Sequence, residues 1–204
     1  MKNELEKYNV SRETMEDLKT FQNMVLEWNV KFNLISKSSE KDIWSRHILD
    51  SLQLFQFITD KDKKLYDLGS GAGFPAIVLA IAAKNTYPNL KISLIESIGK
   101  KIMFLKEVQK ALSLDITIIH DRIENLKLPK ADIITSRALA SLDKLLYYSK
   151  DFCSSKTRLI FPKGEKWQEE LSLAQKTWSF EYDTKQSLTS NQGYILEIKN
   201  IRRK

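Results

Sequence analysis

Three glycines are spaced so that they could form a close backbone approach to a ligand. Residues 66–83, YDLGSGAGFPAIVLAIAA, place Gly69, Gly71 and Gly73 between a strand-like run and a helix-like run. Glycine adopts positive φ angles and lets a ligand approach the backbone without interference from a Cβ atom. Pro75 suits the first turn of the following helix, whose free N–H groups would face that ligand. We therefore expect a ligand to bind at this turn.

Two acidic residues near the turn favour a cationic ligand that carries no phosphate. Asp67 ends the first strand, where a carboxylate could hold an ammonium group and would repel a pyrophosphate. Glu96 ends the strand-like segment LKISLIE, where a carboxylate can accept both hydroxyls of a ribose. S-adenosylmethionine has a zwitterionic amino acid end, a cationic sulfur and an unphosphorylated ribose, so the set points to this cofactor. A surface Glu96 that only caps the following helix is the structural alternative.

Other ligands and roles remain open at the same turn. Residues 71–76 also match the dinucleotide-binding pattern G-x-G-x-x-A, so an oxidoreductase that binds NAD(P) is a second hypothesis. A glycine-rich turn with a purely structural role is another. In the loop after the third strand, Ile123 could pack against adenine and Glu124 could meet its edge, although Glu124 could equally begin a short helix.

The segments around the turn alternate in a way that is typical of a doubly wound, mainly parallel α/β sheet. The predicted strands are 64–68, 90–95, 116–120, 131–136 and 157–161, and the predicted helices between them are 75–84, 98–112, 142–152 and 165–178. The last two predicted strands, 180–185 and 194–198, have no helix between them. They should therefore pair as an antiparallel hairpin at one edge of the sheet.

The N-terminal part of the chain has a helical pattern. Leu18, Phe21, Val25 and Trp28 are three or four residues apart, as on one face of a helix. We therefore predict a helical N-terminal cap at residues 1–60 and a sheet domain at residues 61–204, joined in one globular unit.

Composition favours an intracellular protein that could bind a polyanion. The chain of 204 residues has 33 Lys and Arg against 26 Asp and Glu, a net charge of +7 that favours nucleic acid but also serves solubility. A single cysteine, Cys153, excludes an internal disulfide, and two histidines, His47 and His120, give little support to a metal site. Residues 76–83 are too short a run for a membrane span, and residues 1–10 show no secretory signal. We expect a cytoplasmic protein with neither a metal ion nor a membrane partner.

With these residues in place, the chain resembles the bacterial 16S ribosomal RNA guanine-N7 methyltransferases, a family also called glucose-inhibited division protein B. The resemblance extends from about residue 20 to the C-terminus and rests on several motifs in the same order: EWNVKFNLIS, RHILDSL, DLGSGAGFPAI, SIGKKIMFL, TSRALASL and FPKG. It implies a class I methyltransferase fold at residues 61–204 and a cytoplasmic location. It also implies methyl transfer from S-adenosylmethionine, with S-adenosylhomocysteine as product, to N7 of one guanine in 16S rRNA of the small ribosomal subunit.

The resemblance assigns cofactor or active-site roles at matching positions, namely Gly69, Phe74, Ile123, Glu124 and Arg137. Glu96 stands where the family has an acidic ribose partner, usually Asp, and it keeps the acceptor chemistry with a longer reach. The complete predicted cofactor site is Asp67, Gly69, Gly71, Gly73, Phe74, Glu96, Ser97, Ile123, Glu124 and Arg137.

Methylation at N7 requires orientation of the base and no proton removal. N7 of guanine has an in-plane lone pair and no proton, so the site must align the base but needs no general base. A lysine bonded to N7 would block the reacting atom, so recognition should use O6, the opposite edge and stacking. The predicted substrate-positioning residues are Arg137, Lys163, His47 and Arg46. Each has a structural alternative, either a solvated surface cation or a histidine packed between helices.

Aromatic and basic residues supply the remaining candidates. Phe74 and Phe161 are expected to flank a splayed base, Trp28 and Trp44 fit a helical core, and Asn33 could cap its region. Basic residues that could follow phosphates, or only face solvent, are Lys100, Lys101, Lys106, Arg202, Arg203 and Lys204. The leading hypothesis is a monomeric 16S rRNA guanine-N7 methyltransferase. The alternatives are the NAD(P)-dependent oxidoreductase and a non-catalytic RNA-binding or ribosome-assembly factor with the same fold.

Overall fold

The computed structural model describes residues 11–204. The ten residues before them, in which the sequence shows no secretory signal, lie outside the described part of the chain. Within residues 11–204, no helix has both the length and the apolar character that crossing a bilayer would require.

A group of helices precedes the sheet. Helix α1 (Arg12–Phe32) begins at Ser11, whose Oγ accepts a hydrogen bond from the backbone N–H of Thr14. It ends at Asn33, which adopts the left-handed conformation with φ 49° and donates its N–H to the carbonyl of Asn29. The predicted capping role of Asn33 is thereby confirmed.

The rest of this group is short and irregular. After α2 (Lys37–Glu40) the chain forms a π-helical turn (Trp44–Leu49), then α3 (Asp50–Leu52), then a 3₁₀ turn (Gln53–Phe57). π-Helical turns are rare and concentrate at functional sites. This one carries Arg46 and His47.

Seven strands form one sheet in the order β3-β2-β1-β4-β5-β7-β6. Their bounds are β1 Lys64–Leu68, β2 Lys91–Glu96, β3 Ile116–His120, β4 Ile133–Thr135, β5 Arg158–Lys163, β6 Trp178–Gln186 and β7 Tyr194–Arg203. The first five strands are parallel, and β7 runs antiparallel to both β5 and β6. The predicted mainly parallel sheet and its antiparallel edge hairpin are confirmed.

Helices cover both faces of the sheet: α4 (Ala76–Thr86), α5 (Gly99–Ala111), α6 (Leu142–Ser149) and α7 (Trp167–Thr177). One hydrophobic cluster joins α4 and α5 to the N-terminal helices, and a second cluster lies under α6 and α7. Phe21 of α1 contributes directly to the first cluster, with its ring 5.0 Å from that of Phe74. Trp28 and Trp44 pack against the same cluster, as predicted.

The strand order reverses at β1. From β1 the chain builds outward through β2 and β3, then returns to place β4 on the other side of β1. In open α/β sheets, ligands bind outside the carboxyl ends of the strands at such a reversal. The glycine turn follows β1 and Arg137 follows β4, so both lie at this position.

Candidate active site

A cavity of about 550 Å³ lies at the carboxyl ends of β1 to β4, and we call it the first cavity. Most of the predicted cofactor residues line it: Gly69, Gly71, Phe74, Glu96, Ser97, Ile123, Glu124 and Arg137. His47 reaches the same cavity from the N-terminal helices. Sequence reasoning thus placed these residues together correctly, whereas Asp67 and Gly73 do not line the cavity.

The three glycines of the turn have similar backbone conformations but different surroundings. All have positive φ, at 69°, 58° and 89° in chain order. A Cβ atom on Gly73 would lie 2.5 Å from Cγ1 of Ile77, so this glycine permits packing beneath the turn. A Cβ on Gly71 would meet nothing closer than 3.9 Å, because this position faces the cavity. Gly71 is therefore the glycine that leaves room for a ligand, whereas ligand contact by Gly73 stays a prediction.

Glu96 holds the backbone around the cavity. Its Oε2 accepts a hydrogen bond from the N–H of Gly71 at 2.9 Å, and its Oε1 accepts from Ser97 at 2.8 Å and Ile98 at 2.9 Å. Ile98 directly precedes α5, so these bonds hold the start of that helix, but Glu96 is buried and is not the surface residue that the structural alternative supposed. The two carboxylate oxygens together have about four acceptor positions, so capacity for a ligand hydroxyl remains. Nζ of Lys101 lies 3.9 Å from Oε2.

Asp67 lies beneath the turn and is fully buried. Its Oδ1 accepts a hydrogen bond from Oγ1 of Thr135 on β4 at 2.8 Å, and its Oδ2 has no partner within residues 11–204. Burial raises the pKa of this carboxyl from 3.8 to about 6. Asp67 does not line the cavity, so direct contact between its carboxylate and an ammonium group stays a prediction.

Arg137 connects the sheet to the N-terminal helices. Its Nη1 donates to the carbonyl of Arg46 at 2.9 Å and to Oδ2 of Asp50 at 3.2 Å, and its Nη2 donates to Nδ1 of His47 at 2.6 Å. Its guanidinium also lies over the ring of Phe74, 5.2 Å from the ring centre. Arg137 is therefore a mostly buried side chain held by three hydrogen bonds, and the alternative of a surface arginine is wrong.

The contact with Arg137 fixes the state of His47. Arginine stays protonated in proteins, so Nδ1 of His47 must be the acceptor and the ring proton must reside on Nε2. Burial, followed by the charges of Arg137 and Arg46, lowers the pKa of His47 from 6.5 to about 4. The imidazole is consequently neutral near pH 7, and its only basic nitrogen is already hydrogen-bonded.

A second cavity of about 550 Å³ adjoins the first and shares His47, Arg137 and Ala138 with it. All four predicted substrate-positioning residues line this second cavity: Arg46, His47, Arg137 and Lys163. The side chain of Lys163 is only 8% exposed, so the alternative of a solvated lysine is wrong. Two charged residues that sequence reasoning missed, Asp50 and Glu170, also line it.

The two residues that were predicted to stack on a base are both buried by other side chains. Phe161 lies within β5 and is fully buried in the core beneath α6 and α7, so its expected role was wrong. Phe74 is 4% exposed, with its ring between those of Phe21 and His47, so it lines the cavity without offering a free face. Tyr194 is a more accessible aromatic residue at the second cavity, and its ring packs 4.7 Å from that of Trp167.

The other single candidates fall outside the two cavities, except Lys101. Lys101 lines the first cavity. Exposed basic residues elsewhere are Lys100, Lys106, Arg202, Arg203 and Lys204. Arg202 and Arg203 belong to β7, which extends beyond its predicted end, so they are not a free tail. Cys153 follows the 3₁₀ turn Lys150–Phe152, and burial raises the pKa of its thiol to about 12, consistent with a structural role.

Comparison with known proteins identifies the family. Residues 14–199 match the family model described as rRNA small subunit methyltransferase G (GidB). The chain belongs to this family. A relative from Ruegeria pomeroyi, named ribosomal RNA small subunit methyltransferase G, is 40% identical over 96% of this chain and 95% of its own length. The protein of the same name from Rickettsia prowazekii is 41% identical over 94% of this chain and 97% of its own length.

Solved structures of a methylase and of a protein in complex with AdoMet share the fold. A ribosomal protein L11 methylase from Lactobacillus delbrueckii subsp. bulgaricus superimposes with a TM-score of 0.58, at 16% identity, over 74% of this chain and 76% of that one. M. jannaschii TYW2, solved in complex with AdoMet, gives a TM-score of 0.54 at 17% identity, over 74% of each chain. The predicted family, class I fold and enzyme class are confirmed. The protein is an S-adenosylmethionine-dependent methyltransferase of small-subunit ribosomal RNA, and neither alternative is favoured.

Proposed function

We propose that the protein methylates N7 of a specific guanine in 16S rRNA, as a monomer in the cytoplasm. One observation carries this proposal: the two cavities meet at Arg137 and His47. A methyl donor in the first cavity and a nucleobase in the second would face each other across this short boundary. Such an arrangement suits direct transfer between two bound molecules, which depends on their alignment.

The first cavity fits S-adenosylmethionine, which supplies a methyl group carried on a sulfonium. Gly71 leaves space at the turn, where a side chain would fill the cavity. The proposed contacts are with Gly69, Gly71, Phe74, Glu96, Ser97, Ile123, Glu124 and Arg137. Asp67 would contribute only negative charge from below, and this charge favours a cation over a pyrophosphate.

The second cavity suits a base that loses no proton. His47 is neutral near pH 7, and its Nδ1 is engaged by Arg137, so it is a poor general base. We assign His47 and Arg137 to positioning, Lys163 to the O6 edge of the base, and Arg46, which is exposed at this cavity, to phosphate. None of these residues acts as a general base, and N7 of guanine needs none because it already has a free lone pair.

We further propose that residues 1–60 form an RNA-facing cap on a catalytic domain at residues 61–204. Arg46 and His47 belong to the N-terminal helices but meet Arg137 of the sheet domain. The net charge of +7 supports binding to a polyanion.

The test is methyl transfer from labelled S-adenosylmethionine to 16S rRNA and to small subunits from cells that lack the protein. We expect N7-methylguanine at a single position. Label on another atom would overturn the N7 assignment, and absence of transfer to both substrates would overturn the proposed function. Analytical ultracentrifugation of the protein tests the monomer.

A further inference from the structure

We propose that the second cavity binds the target guanine by its Watson–Crick edge, with Lys163 donating to O6 and Glu170 accepting from N1–H and the N2 amino group. This inference rests on the proposed function and adds the residue that selects guanine. It also gives a role to Glu170, a side chain with no signal in the sequence.

Lys163 and Glu170 form a fixed pair in the wall of the cavity. Nζ of Lys163 donates to Oε2 of Glu170 at 2.8 Å and to the carbonyl of Ala140 at 3.2 Å. Oε2 of Glu170 also accepts from the backbone N–H of Leu142 at 2.8 Å. These bonds hold both side chains in place before any ligand enters, which lowers the entropy cost of recognition.

Each member of the pair keeps unused hydrogen-bonding capacity. An ammonium group has three donors, and only two of those on Lys163 have partners within residues 11–204. Oε1 of Glu170 has no hydrogen-bond partner in the same range, although Oε2 has two. The pair therefore offers one donor beside one charged oxygen that can accept two hydrogen bonds.

Asp50, the other carboxylate at this cavity, is already engaged. Its Oδ1 accepts from Nε2 of Gln53 and Oγ1 of Thr189, and its Oδ2 accepts from Arg137. Glu170 is therefore the better-placed acceptor for a ligand in the second cavity.

A neighbouring donor and anionic acceptor match guanine. Along its edge, guanine presents the N2 amino group, N1–H, O6 and N7 in that order. A lysine at O6 and a carboxylate at N1–H and N2 satisfy two different kinds of group at adjacent positions. Adenine presents an amino group where guanine has O6 and a bare lone pair at N1, so both contacts would become repulsive.

The same order leaves N7 free. If Lys163 binds O6 and Glu170 binds N1–H, then N7 lies on the side of O6 away from Glu170. The two cavities meet where His47, Arg137 and Ala138 line both of them, so N7 at this boundary can face the methyl donor without a direct lysine contact.

The carboxylate also suits the charge change of the reaction. The N7 lone pair forms the new bond to the methyl carbon, the electron pair of the broken carbon–sulfur bond stays on sulfur, and positive charge moves to the purine. That charge makes N1–H a stronger donor, so its hydrogen bond to anionic Glu170 strengthens in the transition state. No proton has to leave.

The experiment compares guanosine with inosine at the methylated position. Inosine keeps N7, O6 and N1–H but lacks the N2 amino group. The RNA is ligated from fragments after the position has been mapped with the natural protein. We expect kcat/KM to be about tenfold higher for guanosine in the natural protein, a typical discrimination for one lost base contact. We expect this ratio to fall to about one in Glu170→Met and to take an intermediate value in Glu170→Gln.

The ratio is insensitive to a folding defect, because a reduced active fraction lowers both rates equally. RNA affinity measured without S-adenosylmethionine provides a second comparison of the two bases, and it should favour guanosine in the same order of variants. Glu169→Gln, on the exposed face of α7, is the matched control and should keep the natural ratio.

Two results would overturn the inference. One is equal use of guanosine and inosine by the natural protein, and the other is an unchanged ratio in Glu170→Met. Both still require methyl transfer to guanine, so they differ from a failure of the proposed function, in which the natural protein transfers no methyl group.

Discussion

Nη2 of Arg137 donates a 2.6 Å hydrogen bond to Nδ1 of His47, and both side chains line the first and the second cavity. The bond joins a residue that follows a strand of the sheet to a residue on the π-helical turn. Changes at either residue should therefore affect cofactor binding, substrate binding and the contact between the helices and the sheet.

Replacement of Arg137 should reduce both stability and activity. Arg137→Ala would leave Asp50 and His47 without their shared donor, so we expect a loss of about 2–4 kcal/mol in the free energy of unfolding. Arg137→Lys keeps the charge but loses the planar fork, and it should lower kcat/KM by about 100-fold with a smaller loss of stability. Urea denaturation and methyl-transfer rates measure the two effects. Arg12→Ala, a surface control, should change neither, and normal turnover in Arg137→Lys would remove Arg137 from the site.

Two buried groups should make opposite contributions to the pH dependence of stability. The pKa of His47 is lowered from 6.5 to about 4, so its stabilising contribution is complete above pH 6.5 and is lost as pH falls toward 4. The pKa of Asp67 is raised from 3.8 to about 6, so its contribution is complete below pH 3.8 and is lost as pH rises through 6. The two effects oppose each other over almost the same pH range.

Single variants should separate these contributions. Relative to the natural protein, His47→Gln should gain stability when the pH falls from about 7.5 to about 5, and Asp67→Asn should lose stability over the same change. Denaturation at several pH values measures both, with the exposed His120→Gln as control. Shifts of the same sign in the two variants would contradict this account.

A side chain at Gly71 should block the cofactor and spare the fold. Position 71 has φ 58° and open space around its missing Cβ, and asparagine and aspartate tolerate this conformation better than most residues. Gly71→Asp should abolish detectable binding of S-adenosylhomocysteine in calorimetry while the protein still unfolds cooperatively. Gly164→Asp adds the same carboxylate at an open glycine outside the first cavity, and it should bind normally. Normal binding by Gly71→Asp would place the cofactor elsewhere.

Two roles of Glu96 can be tested separately: its hydrogen bonds to backbone N–H groups and its proposed hydrogen bond to the ribose. Glu96→Gln turns an acceptor into a donor beside backbone N–H groups, so stability should fall by about 1–3 kcal/mol. If Glu96 also binds the ribose, affinity for S-adenosylhomocysteine should fall at least about tenfold. Calorimetry at a temperature where the variant is folded measures this, and Glu107→Gln on the surface of α5 is the control. Reduced stability with unchanged affinity would leave Glu96 a purely structural role.

Salt should weaken RNA binding far more than cofactor binding. Release of counterions makes RNA affinity fall steeply with salt, whereas binding of S-adenosylhomocysteine should change little. Arg46→Ala should reduce the slope of log affinity against log salt by about one if Arg46 contacts a phosphate. Filter binding across a salt series tests this, and an unchanged slope would remove Arg46 from the phosphate contacts.

The sheet was predictable from sequence because its parallel strands are short, apolar and separated by turn residues. The bounds of β1 and β3 agree with the prediction to the residue. Strand β7 was predicted to end at residue 198 but continues to Arg203, because pairing with β6 extends through polar residues that lack an apolar pattern. Tertiary hydrogen bonding determined that boundary.

The site residues that lie in loops could be predicted from sequence more readily than those in strands and helices. Gly71, Glu124 and Arg137 follow strands whose ends converge at one edge, so their positions along the chain sufficed. Asp67 precedes the loop by two residues, and only the packing of β4 against β1 turns its side chain toward Thr135. Glu170 lies on α7 next to Glu169, and nothing in the local sequence distinguishes the two.

The position of Arg46 and His47 depends on the number of residues in and before the π-helical turn at Trp44–Leu49. An α-helix rotates by about 100° per residue, so one inserted or deleted residue before Arg46 would swing Arg46 and His47 away from the sheet. Exchange of individual amino acids in the turn should consequently be tolerated better than any change in their number. An enzyme engineered by trimming or lengthening this segment would lose its geometry even with every side chain retained.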